Sequence, residues 1–137
     1  MVLLQQPNNI CILRLSAIGD VCHAIAAVQA IQSHYPRANI TWVIGKVEAD
    51  LVSGLPGVNL VVFDKKQGKT AYKNLKETFK HVEFDVLLHM QVALRVAVDA
   101  VRPAAQAVFD AFDLEAVLDI LLDRRGMTAT GAEARFG

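Results

Sequence analysis

The feature that most constrains the fold is a change of hydrophobic period that recurs along the first ninety residues. Asn9 to Leu15 (NICILRL) is a short, mostly apolar run with no polar face, the pattern of a strand covered on both sides. From Val21 the period lengthens. Val21, Ile25, Val28 and Gln32 form one row, with Ala24, Ala27 and Ile31 beside it, which predicts a helix that stops before Pro36. Asn39 to Ile44 (NITWVI) is β-branched and aromatic and returns to strand. The intervening helix makes it parallel to the first strand. A short helix is expected over 48–55, stopped by Pro56 and Gly57, then a third strand over Val58 to Phe63, a helix from about Ala71 to His81, and a fourth strand over Phe84 to Met90. Alternation of this kind specifies an α/β chain with a Rossmann-like, doubly wound parallel sheet.

The apolar fraction of 53 % over 137 residues is enough for a real core, and the formal net charge of zero gives no broad positive field for nucleic acid. The two cysteines, Cys11 and Cys22, make no CxxC pattern and sit in apolar neighbourhoods, so two buried thiols in a reducing compartment are expected. The N-terminus lacks a basic region ahead of an apolar stretch, and no run approaches a membrane span. These features predict no cleaved leader and a cytoplasmic protein, either soluble or peripheral at the inner membrane.

Composition shifts after Arg95. All seven lysines and all five asparagines precede that point, whereas the remainder is dense in alanine, aspartate, arginine and valine. Pro103 suits a helix start, and Val108, Phe112, Ala116 and Ile120 mark an apolar row before Arg124, Arg125 and Gly126. A helical tail is expected over 96–126, in one piece or broken near Asp113. The aperiodic segment 127–137 is expected to be disordered.

In an open parallel sheet, ligands bind at the carboxyl ends of the strands. Ser16-Ala17-Ile18-Gly19-Asp20 holds that position after the first strand. Gly19 would permit an unusual backbone angle and close approach of a ligand. Asp20, at the start of the next helix, has its ionised form favoured by the helix dipole and could take a proton from a substrate hydroxyl. An acid there equally serves a helix that needs only a favourable charge at its start. Ser16, and His23 one turn on, are candidates to touch a ligand at the same edge. His89 and Gln91 at the end of the fourth strand, and Arg95 beyond it, are candidates at another; strand-end residues with only local hydrogen bonds look the same. Trp42 reads as core. The four histidines have no ligand-like spacing, so no metal is expected.

Gly68-Lys69-Thr70 resembles the end of a phosphate loop, but Phe63 stands where Walker A needs glycine. Lys66, Lys69, Lys73, Lys76 and Lys80 fall on one helical face beside an apolar stripe of Tyr72, Leu75, Phe79 and Val82. That face is either a solvated exterior or a contact for an anionic membrane.

The string ILRLSAIGDVCHAIAAVQAIQSHYPRANITWVIGK, followed by LPGVNLVVFDK and FDVLLHMQVALR, resembles family 9 of the glycosyltransferases, the lipopolysaccharide heptosyltransferases. The match runs over residues 10 to about 95 in order. It implies the N-terminal half of a two-lobed GT-B enzyme that transfers heptose from ADP-heptose to a lipid A or inner-core acceptor with inversion, using no cofactor or metal. It also implies that Asp20 is the general base, with Ser16, Gly19, His23, Gln91 and Arg95 on the acceptor side. On this reading residues 1–95 form a partial acceptor-side domain and the chain is a truncated form without the donor-binding domain. The alternative is a non-catalytic Rossmann-like module that binds a saccharide or a partner. A dinucleotide enzyme is disfavoured, because the first loop is SAIGD and lacks GxGxxG.

Overall fold

In the computed structural model, which describes residues 7–90, 99–110 and 114–121, five strands form one parallel sheet. The strands are β1 (Asn9–Leu13), β2 (Asn39–Gly45), β3 (Val58–Phe63), β4 (Phe84–His89) and β5 (Ala105–Asp110), in the spatial order β3-β2-β1-β4-β5. The helices are α1 (Ile18–His34), α2 (Lys46–Val52), α3 (Lys69–Thr78) and α4 (Leu114–Leu121).

The alternating side-chain directions of a strand explain the two covered faces. Ile10, Ile12, Ile40, Trp42, Ile44, Val86, Leu88, Ala107 and Phe109 pack with Val21, Ala24, Val28 and Ile31 of α1, Val52 of α2 and Val117 of α4. Cys11, Leu13, Val43, Leu87 and Val108 point the other way, onto Ala71 and Leu75 of α3, Phe79 just beyond it, and the segment at Ala100 and Val101. Each central strand is apolar at consecutive positions because it is buried twice.

β1 pairs with β2 on one side and β4 on the other. The chain lays down β1, β2 and β3 outward in one direction, then crosses under the sheet through α3 to add β4 on the opposite flank of β1. The gap above the carboxyl ends of β1 and β4 is therefore the point where strand order reverses, the usual ligand crevice of such sheets. At the opposite edge the backbone N–H groups of Asn8 and Asn9 donate to Asp85 Oδ2 at 2.6 and 3.0 Å, tying the start of β1 to β4.

The helical tail needs correction. Residues 105–110 are a strand, paired in parallel with β4 from Phe84↔Ala105 to His89↔Asp110; among the described residues of the tail, 99–101 and Leu114–Leu121 keep the expected helix. The open edge of β4 offers a hydrogen-bond ladder, and Val108 and Phe109 bury on opposite faces there, which overrides the helical preference of the alanines. Pro103 begins no long helix: it lies in a three-residue 3₁₀ turn, Arg102–Ala104. The segment 127–137 lies outside the described residues. Cys22 differs too. Cys11 is buried, but Cys22 is exposed, since it falls on the outer face of α1.

Candidate functional site

The loop after β1 begins with Arg14, the one charged residue of the first apolar run. Its backbone continues the sheet's bonding: the amide donates to Val43 O at 3.2 Å, and the carbonyl accepts from the indole Nε1 of Trp42 at 3.0 Å. Its side chain is buried, with 7 % of the residue exposed. The guanidinium lies across the β1/β4 crevice, where Nη1 donates to the carbonyl of Met90 and Nη2 pairs with Asp20 Oδ2 at 2.5 Å. Nε has no partner among the described residues.

Asp20 lies in the first turn of α1, and its side chain is 56 % exposed. Ala17, extended at φ −86° and ψ 178°, caps the helix with no side-chain hydrogen bond, and its carbonyl accepts the first helical bond from Val21 N at 2.8 Å. The Ser16–Ala17 peptide is cis. The carboxylate is thus held at a helix start over the crevice, half in solvent, one oxygen on a buried cation. Among the described residues no hydrogen bond engages its Oδ1. This geometry suits a group that must meet a solvent-borne hydroxyl while staying oriented.

Gly19 departs from expectation in its backbone. It is an ordinary helical residue; the described glycines with positive φ are Gly57 and Gly68. The space where a Cβ would stand at Gly19 is open. Ser16 is half-buried, and His23 is exposed on α1 one turn past Asp20. His89 is buried, with Nδ1 3.1 Å from Asp110 Oδ1 on the neighbouring β5. Gln91 and Arg95 lie outside the described residues.

Beside the Asp20 loop, a cavity of about 530 Å³ opens at the carboxyl ends of β1, β2 and β3. Leu15 and Phe63 give it apolar walls, and its charged lining is mixed, Lys46, Lys65 and Lys66 standing with Glu48, Asp50 and Asp64, so it offers a face for a sugar ring and both donors and acceptors for its hydroxyls. Gly45 matters here for a steric reason. A Cβ would stand 2.6 Å from the carbonyl of Leu15 and 2.4 Å from Glu48 Oε1, so only glycine lets β1 and β2 finish so close together, with Gly45 N donating to Leu15 O at 3.0 Å. Among the described residues no group of three or more His, Cys, Asp and Glu could hold a metal ion.

The lysine row is partly engaged. Lys69, Lys73 and Lys76 lie exposed on α3, Lys66 on the 3₁₀ turn before it and Lys80 past its end. Lys76 Nζ stands 5.3 Å from the centre of the Tyr72 ring, and Lys80 Nζ 3.9 Å from Glu77. Among the described residues no helix is long and apolar enough to cross a membrane.

Arg14 and Gly45 are site residues that pattern reading passed over. The signal for Arg14 was present, a lone charge inside a strand-like run. For Gly45 the only cue was a glycine at a strand-to-helix junction.

No family model matches the chain. A curated relative, the lipopolysaccharide core heptosyltransferase OpsX of Haemophilus influenzae, is 47 % identical over 94 residues, which is 69 % of this chain and 27 % of the relative. The chain thus spans about a quarter of that relative's length. A family 9 glycosyl transferase from Veillonella parvula superposes with a TM-score of 0.65 at 18 % identity, over 91 % of this chain and 43 % of its own. The Escherichia coli heptosyltransferase WaaC solved with ADP gives 0.63 at 22 % identity, over 80 % of this chain and 38 % of that one. With ADP-2-deoxy-2-fluoro heptose it gives 0.67 at 16 %, over 91 % and 50 %. The solved structures agree in fold, and the curated relative aligns over 69 % of the chain with close to half of the aligned residues identical. The chain carries the N-terminal part of a glycosyltransferase of family 9, the family of the heptosyltransferases.

Proposed function

We propose that this chain supplies the acceptor side of an inverting heptosyl transfer in lipopolysaccharide core assembly, with Asp20 as general base. What supports the reading is a half-exposed carboxylate held over the strand-order reversal of a sheet that matches a lipopolysaccharide core heptosyltransferase at 47 % identity. The donor is ADP-heptose and the acceptor a lipid A or inner-core sugar. The acceptor hydroxyl oxygen attacks the anomeric carbon from the face opposite the diphosphate. The bond from that carbon to the phosphate oxygen breaks, ADP leaves with the electron pair, and Asp20 takes the hydroxyl proton.

Ser16, in the loop before α1, and Gly19 and His23, exposed on α1 on either side of Asp20, are assigned to acceptor contact. Gln91 and Arg95 are assigned to the same task from the sequence. The cavity walled by Leu15 and Phe63, with lysines and carboxylates in equal number around it, is where the acceptor's sugar binds. Lys66, Lys69, Lys73, Lys76 and Lys80 meet the anionic surface of the cytoplasmic membrane face on which such an acceptor resides.

The test is heptose transfer from ADP-heptose to a lipid A acceptor, together with acceptor binding, for the chain and for Asp20→Asn. Turnover that falls about 10²- to 10⁴-fold in Asp20→Asn supports the assignment; equal activity of the two proteins overturns it. A second reading is a saccharide-binding module without transfer, for which the cavity at the strand ends suffices. Acceptor binding with no turnover and no affinity for ADP-heptose selects it.

A further inference from the structure

Arg14 is costly to keep where it is. A guanidinium taken out of water needs its charge answered and its donors used, yet here one donor serves the Met90 carbonyl, one serves Asp20, and Nε finds nothing among the described residues. The backbone around it is fixed from both flanks of the sheet, by Val43 and Trp42 of β2 on one side and, through the side chain, by Met90 at the end of β4 on the other. Lysine cannot reproduce this arrangement, because its ammonium lacks the planar fork that reaches a carbonyl and a carboxylate at once.

We propose that Arg14 is a positioning residue for Asp20, resting on the assignment of Asp20 as the base. Anchored across the β1/β4 crevice, the guanidinium grips Oδ2, holds the carboxylate in one rotamer over the strand ends, and leaves Oδ1 as the oxygen that faces the acceptor. The exposed partner is thereby ordered by the buried one. A solvated acid at a helix start, free to rotate, would present its two oxygens indifferently.

The experiment follows the side-chain carboxyl ¹³C resonance of Asp20 and the guanidinium ¹⁵N–H signals of Arg14 in the full chain, with and without a deacylated lipid A inner-core acceptor. The proteins are the chain itself, Arg14→Gln, Arg14→Lys and Asp20→Asn. Without acceptor, distinct, slowly rotating Nη signals are expected in the chain, and averaged ones in Asp20→Asn. Averaged signals in both overturn the proposal. With acceptor, the Asp20 resonance should respond in the chain. In Arg14→Gln the acceptor should bind within about threefold of the original affinity while the Asp20 response falls by at least half, and Arg14→Lys should recover only part. An unchanged Asp20 response in Arg14→Gln, or full recovery in Arg14→Lys, overturns the proposal. So does unfolding of both arginine variants, which makes the residue merely structural. If the acceptor fails to bind the chain at all, the acceptor-side reading falls, while the acceptor-free signals still decide whether Arg14 holds Asp20.

Discussion

Asp20 and Arg14 are unequal partners, one exposed and one buried, and the asymmetry decides what their removal does. Deleting the acid strands a buried cation. A fully buried pair would lose about 3–5 kcal/mol, but Asp20 is more than half exposed and water answers part of the charge. Asp20→Ala is therefore expected to lower the unfolding free energy by about 1–2 kcal/mol, with Asp20→Asn lowering it less, measured by urea denaturation. Asparagine is accordingly the cleaner variant for an activity comparison. Trp42→Phe removes the indole donor from the Arg14 carbonyl and should cost about 1 kcal/mol for that bond, with a further loss from the smaller ring. Asp20 was legible in the sequence because loop, glycine and helix start are local signals. Arg14 was not: its anchor is a carbonyl 76 residues away, which no local pattern records.

At the level of elements, the first four strands and the helices between them were readable because each announces itself by period, and because proline or glycine punctuates α1 and α2. Boundaries moved by a few residues. α2 starts at Lys46, since the tight junction at Gly45 lets the helix begin at once. α3 starts at Lys69, released by Gly68 at φ 57°. β5 was misread, because a strand bought by a neighbouring edge leaves no periodic trace in alanine-rich sequence. The junction at Gly45 gives a direct check. Gly45→Ala must push β1 and β2 apart at the cavity or displace the Glu48 side chain, and is expected to destabilise the chain by about 1–3 kcal/mol. A denaturation midpoint equal to that of the parent protein would contradict it.

On the scale of the molecule, the doubly wound sheet leaves one cysteine inside and one outside. The native chain is expected to react with a thiol reagent at Cys22 alone, and the denatured chain at both, so that Cys11 labelling reports opening of the core. Burial also pushes the Cys11 thiol upward, beyond the range in which a free thiol ionises. The folded state therefore holds a proton that the unfolded state releases above about pH 8.5. Stability should be unaffected below that value and fall as pH rises above it, by at most about 1.4 kcal/mol per pH unit from this group. Cys11→Ala should flatten the slope in a series of denaturation curves.

The seam between β1 and β4 is sewn at both ends, by Asp85 on the amides of Asn8 and Asn9 below and by Arg14 on the Met90 carbonyl above. Such a seam resists gaping. Its crevice is therefore expected to keep one width with and without a ligand, as an anvil does, and to leave adjustment to the loops above the sheet.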